Sequence, residues 1–100
     1  MSVDTMKKVK INVDVKAPNL YQVIYFNDEK TPAIFVTETL IQIFNYEIDK
    51  AITLTETISN TGSGVAIGGI SKELATHLRD LVLVNAQSNK YPLKVEIKQE

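Results

Sequence analysis

Val9, Ile11, Val13 and Val15 alternate with Lys10, Asn12, Asp14 and Lys16 near the start of the chain, the period of a strand that buries one face. Pro18 and Asn19 break that alternation, so residues 1–17 read as an N-terminal extension that is either mobile or adds one strand. Residues 20–26 are rich in β-branched and aromatic side chains and apolar on both faces, which fits a core strand covered on one side and partly buried on the other. After the polar stretch 27–30, Thr31 and Pro32 predict a helix start. The threonine serves as N-cap and the proline takes the first helical position, where its missing N–H is not needed. Phe35, Val36, Leu40, Ile43 and Phe44 then recur at helical spacing, residues 45–47 interrupt, and Ile48, Ala51, Ile52, Thr55 and Ile58 resume it. This predicts two helices joined by a short corner.

All four glycines fall within residues 62–69, a tight turn feeding a short strand over 65–70. Ser71 is placed to cap a third helix, with Leu74, Ala75, Leu78, Leu81 and Val82 as its apolar face and the polar run 85–90 as its end. Pro92 prevents continuation, and Leu93, Val95 and Ile97 alternate with Lys94, Glu96 and Lys98 as a half-buried strand. The order is βααβαβ, and the fold class is α+β: a two-layer sandwich with a three-stranded sheet and three helices on one face.

At 100 residues, 44% hydrophobic and 23% charged, the chain has room for one small domain over residues 18–100 after the extension. Eleven Lys and Arg against twelve Asp and Glu give a net charge of −1, so no basic field exists to hold nucleic acid. Without cysteine, a disulfide framework, a thiolate metal site and a cysteine nucleophile are all excluded, which suits a reducing cytoplasm. The charges spread through residues 1–17 exclude a signal peptide and a membrane span there. His77 is the lone histidine, with Asp80 three residues on and no nucleophile beside it, so neither a catalytic triad nor a zinc site is expected. The glycine run lacks a Gly-Lys-Ser/Thr ending and precedes a strand, which removes the phosphate-loop reading. An enzyme is the weakest class these exclusions leave, with no cofactor or metal expected; in a domain this small any ligand sits in a shallow groove, and with no coiled-coil seam a monomer is the expectation.

The segment 27–36, Asn-Asp-Glu-Lys-Thr-Pro-Ala-Ile-Phe-Val, resembles the ClpS adaptor family, whose domain opens with Tyr-x-Val-x-x-x-Asn-Asp-Asp/Glu-x-Thr-Pro-Met-x-Phe-Val. Tyr21, Val23, Asn27, Asp28, Glu29, Thr31, Pro32, Phe35 and Val36 stand in register with that pattern, and Tyr91-Pro92-Leu93 stands where the family has His-Pro-Leu. The resemblance covers about residues 18–97. It implies an adaptor that recognises proteins by a destabilising N-terminal residue, an N-degron, and delivers them to a Clp-type AAA+ unfoldase for proteolysis. It implies also that Asn27, Asp28 and Ser59 hold the α-amino group, while Glu29, Thr31, Ala33, Val36, Ile58 and Leu93 form the side-chain pocket. Glu73 and Arg79 would dock to the unfoldase's N-terminal domain. A free α-amino group is charged and carries up to three donors, so a carboxylate beside neutral acceptors suits it.

Three departures modify the expectation. Ser59 stands where the family has a histidine and reaches less far, which predicts weaker amine binding. Ala33 stands where the family carries a pocket-rim methionine that screens out β-branched residues, which predicts that Ile and Val are accepted besides Leu, Phe, Tyr and Trp. On the third helix Leu78 takes a lysine position and Arg79 follows it, so the docking charge has moved or the partner differs. The alternative is a decoy or inhibitor that docks to the unfoldase with little or no peptide binding. A scaffold domain like that of the ribosomal stalk protein shares the topology, but it binds through a basic helix that this chain lacks.

Overall fold

The computed structural model describes residues 19–100, so the expectation of a mobile or strand-forming extension over residues 1–17 lies outside the described residues. Six elements follow in the expected order: β1 (Tyr21–Phe26), α1 (Ala33–Phe44), α2 (Ile48–Thr61), β2 (Ser63–Ile70), α3 (Lys72–Ser88) and β3 (Lys94–Gln99). The strands form one antiparallel sheet in the order β2-β1-β3. β1 is therefore central, which accounts for its apolar residues on both faces. Val23 and Tyr25 are fully buried, while Ile24 and Phe26 on the other face are half-buried, and the Lys94 ammonium lies 5.0 Å from the Phe26 ring centroid.

The core lies between that sheet and the helices, with Val36 and Leu40 from α1, Ala51 and Ile58 from α2, and Ala75, Val82 and Ala86 from α3. The Tyr25 hydroxyl, buried against Thr39, donates to its Oγ1 at 2.8 Å, since Thr39 already donates to the Val36 carbonyl. Burial pushes the Tyr25 phenol far above its usual pKa.

Several boundaries and faces differ from the sequence pattern. Pro32, not Thr31, is the N-cap of α1, with the helix beginning at Ala33. The Thr31 hydroxyl accepts no backbone N–H, and the Pro32 carbonyl instead takes the first helical N–H groups, those of Phe35 and Val36. β2 begins at Ser63, two residues before the expected start at Val65. Two irregularities interrupt its pairing with β1: Ala66 is passed over between the Val23–Ile67 and Ile24–Val65 pairs, and Gly68 and Gly69 lie between Ile67 and Ile70, which meets Tyr21, while Gly64 pairs with Tyr25. The Tyr46 hydroxyl donates to the Ala66 carbonyl at the first irregularity, and Gly69 takes φ +68° at the second.

α3 runs on to Ser88 through the polar stretch expected to end it, because Ala86 is buried in the core. Lys90 at φ 61° then closes the helix, with the Tyr91 N–H donating to the Ala86 carbonyl and the Lys90 N–H to the Gln87 carbonyl. Leu74 and Leu81 of the expected α3 face, and Ile48 and Ile52 of the expected α2 face, are exposed. Ala51 and Ala75 of those faces, and Ala86 in the stretch expected to end α3, are buried in the core.

Candidate functional site

The site is built on the turn between β1 and α1. One Asp28 oxygen, Oδ1, accepts the backbone N–H groups of Lys30 at 2.9 Å and Thr31 at 2.7 Å, so the aspartate folds the chain back on itself as an Asx turn. Partial desolvation raises the Asp28 pKa, but the Thr31 N–H, the Thr31 hydroxyl, the Lys30 N–H and the Lys30 ammonium together outweigh it and hold the carboxyl below its ordinary value. Gly62 ends α2 in the left-handed region at φ 96°, which glycine enters without a Cβ penalty. Its carbonyl accepts the Asn27 N–H at 2.9 Å. That bond fastens the exit of β1 to the end of α2 and brings Asn27 beside Ser59, 32 residues away in the chain.

Between these segments lies a cavity of about 150 Å³, a space that takes a benzene-sized ring. Asn27, Asp28, Thr31, Ala33, Val36, Ile58, Ser59 and Leu93 all line it, so eight of the nine residues expected for amine and side-chain contact share one cavity. Glu29 is the exception: it is exposed and lies outside the lining, because the Asx turn directs the chain away from the cavity at that position. Sequence reasoning missed Phe26 and Thr55, which also line the space. Thr55 left a signal as the one hydroxyl in the apolar stripe of α2, and its Oγ1 donates to the Ala51 carbonyl and pairs with the Thr37 hydroxyl at 2.7 Å.

The walls divide by chemistry. Val36, Ile58 and Leu93 are buried and apolar, while Asn27, Ala33 and Ser59 are exposed and form the mouth. Two polar atoms beside the cavity, Asp28 Oδ2 and Thr31 Oγ1, are buried with no hydrogen-bond partner in the protein. Such an atom costs about 1–3 kcal/mol when left unpaired, and the Thr31 hydroxyl also favours the ionised form of the Asp28 carboxyl.

On α3, Glu73 lies with Lys72, Thr76, His77 and Asp80 along a shallow surface depression. Arg79 does not share it. The two positions are six residues apart, about 240° around a helix, and Arg79 pairs instead with its neighbour Asp80 at 3.1 Å. His77 is an exposed helix residue. Among the described residues no cluster of His, Asp or Glu is placed to hold a metal ion, and no helix is long and apolar enough to cross a membrane.

Comparison with known proteins agrees with this geometry. The family model described as the ATP-dependent Clp protease adaptor protein ClpS matches residues 16–96. The Clp protease adapter protein ClpS of Acetivibrio thermocellus is 33% identical over 100 residues, covering 100% of both chains. That of Escherichia fergusonii is 31% identical over 90 residues, 90% of this chain and 84% of its own. Among solved structures, Agrobacterium tumefaciens ClpS2 bound to L-phenylalaninamide is similar with a TM-score of 0.80 and 26% identity, over 84% of this chain and 100% of the other.

Proposed function

The chain belongs to the ClpS family of ATP-dependent Clp protease adaptors, and from that premise we propose that it is a non-catalytic adaptor in the cytoplasm that binds the N-terminal residue of other proteins and delivers them to a Clp-type AAA+ unfoldase. The observation that carries the reading is the Asp28 carboxylate, held in its ionised form, among the lining of a cavity whose buried walls, Val36, Ile58 and Leu93, are apolar. An N-terminal residue presents that combination of a cationic amine and a side chain one bond apart. L-phenylalaninamide, the ligand in the Agrobacterium structure, likewise joins a free α-amine to a benzyl group.

In this reading Asp28 supplies the charge, Asn27 Oδ1 and Ser59 Oγ accept further N–H bonds, and Val36, Ile58 and Leu93 surround the side chain. Thr31 and Ala33 form its rim. Each charge-assisted bond contributes about 1.5–3 kcal/mol and burial of a Leu or Phe side chain about the same. Less the ordering penalties, this corresponds to micromolar affinity, about −8 kcal/mol. The methyl group of Ala33 leaves room beside a branched Cβ, so Ile and Val are bound as well as Leu, Phe, Tyr and Trp. Unfoldase docking falls to the Glu73 depression, with Arg79 on a different side of the helix.

Fluorescence-polarisation titration of peptides that differ only in their first residue, each with a free and an acetylated α-amine, tests the reading. Free Phe, Leu and Ile peptides are expected to bind and acetylated ones to fail, because acetylation removes the charge and two donors while the side chain stays. Ala33→Met is expected to remove Ile and Val binding and spare Leu and Phe. Absence of binding by every free-amine peptide at millimolar concentration would leave a decoy that only docks to the unfoldase.

A further inference from the structure

A second depression, an apolar groove of about 450 Å³, runs between the outer faces of α1 and α2. Ile34 and Ile41 line it from α1, Ile48 and Ile52 from α2, with Glu38 and Glu56 beside them. Ile34 is 69% exposed and Ile48 62%, so these side chains contribute little to the core. Four isoleucines gathered in one exposed groove are more than the scattered surface hydrophobics of an ordinary domain.

The groove is continuous with the N-terminal-residue cavity, since Ala33 and Thr55 belong to the walls of both. The mouth of the cavity has three exposed residues, Asn27, Ser59 and Ala33. Of the two residues shared by cavity and groove only Ala33 is exposed, so a polypeptide whose amine is held at Asn27 and Ser59 passes from one to the other across Ala33. From there the groove follows α1 from Ala33 to Ile41, about 12 Å at the helical rise. An extended chain advances about 3.3–3.6 Å per residue, so that length accommodates the three residues that follow the first.

We propose that this groove is a subsite for the segment behind the N-terminal residue, and that the protein selects substrates with an apolar side chain among positions two to four and against acidic ones there. The proposal rests on the N-terminal-residue reading of the cavity. Burial of one leucine side chain against the isoleucines raises affinity about tenfold, and Glu38 and Glu56 repel a carboxylate. Specificity would then have two parts, the identity of the first residue and the polarity of those behind it.

The test is a set of free-amine Phe-initiated peptides in which Leu, Ser or Asp is moved through positions two, three and four, titrated against wild type, Ile34→Ser and Ile52→Ser. The expected result is Leu binding about tenfold tighter than Ser at one or more positions, Asp weaker than Ser, and the Leu advantage lost in both variants while Ser peptides bind unchanged. Both substituted residues are exposed, and matching thermal midpoints would confirm that the variants fold. Equal affinity for Leu, Ser and Asp at all three positions, with Phe-initiated peptides still bound, would overturn the subsite and leave the cavity reading standing. Failure of every free-amine peptide would overturn both. A wild-type dimer in sedimentation that Ile34→Ser makes monomeric, with peptide affinity indifferent to the Leu scan, would assign the groove to self-association instead.

Discussion

Asp28 performs two tasks with two oxygens. Oδ1 accepts two backbone N–H groups and shapes the turn, which leaves the charge available beside the cavity. Asp28→Asn retains a carbonyl oxygen for the turn and removes the charge, so it is expected to weaken free-amine peptide binding by about 1.5–3 kcal/mol. Its unfolding midpoint should stay close to that of wild type. The lowered carboxyl pKa also sets a pH window. The charged form is favoured by the fold, so its contribution is present above the ordinary carboxyl pKa of about 3.9 and is lost as pH falls through the lower folded value. The ligand's α-amine loses its proton near pH 8. Peptide affinity is therefore expected to be flat from pH 7 to about 5 and to fall on the alkaline side first, which titration across that range would check. Asp28 and its neighbours were legible in the sequence because they are contiguous with a motif. The mistaken inclusion of Glu29 arose from the same contiguity, since neighbours in a turn point different ways.

Among the elements, the packing of β2 on α2 sets the shape of the side-chain pocket. Gly64 lets the strand approach the helix: a Cβ built there meets Ile58 Cγ1 and Leu54 Cδ1 at 2.8 Å each. Gly64→Ala therefore forces Ile58, a wall of the cavity, to move. Overpacking of this kind typically destabilises by about 1–3 kcal/mol, and the variant is expected to lose both stability and affinity for bulky first residues. Thermal unfolding together with a Phe-peptide titration would show whether the two losses travel together. Helical periodicity located all three helices and placed Ala51, Thr55, Ile58, Ala75 and Val82 on their buried faces, yet it drew the apolar stripes of α2 and α3 too wide. Ile48, Ile52, Leu74 and Leu81 are exposed, because periodicity records which residues share a stripe but not how close the neighbouring element comes. The buried positions include the small residues Ala51, Ala75 and Ala86, while the larger Ile48, Ile52, Leu74 and Leu81 lie at the margin.

In the whole molecule, the cavity and the Glu73 depression have no lining residue in common. Under the proposed assignment of the two sites, that separation would let the adaptor hold substrate and unfoldase at the same time. Glu73→Lys is expected to weaken docking to a Clp unfoldase while leaving peptide affinity unchanged, measured in parallel by pull-down and polarisation; equal docking would move the partner surface elsewhere.

Order of elements and class of fold followed from the sequence alone, because strand and helix periods and turn chemistry are local properties of the chain; most of the cavity residues were named through the resemblance to the ClpS family. Strand order, the bulged pairing of β2, the entry of Thr55 and Phe26 into the cavity and the gathering of four isoleucines, three of them exposed, in one groove were decided only by the tertiary structure. They depend on how near α2 lies to β2 and α1, a distance set by the sum of all the packed side chains and written in no single segment.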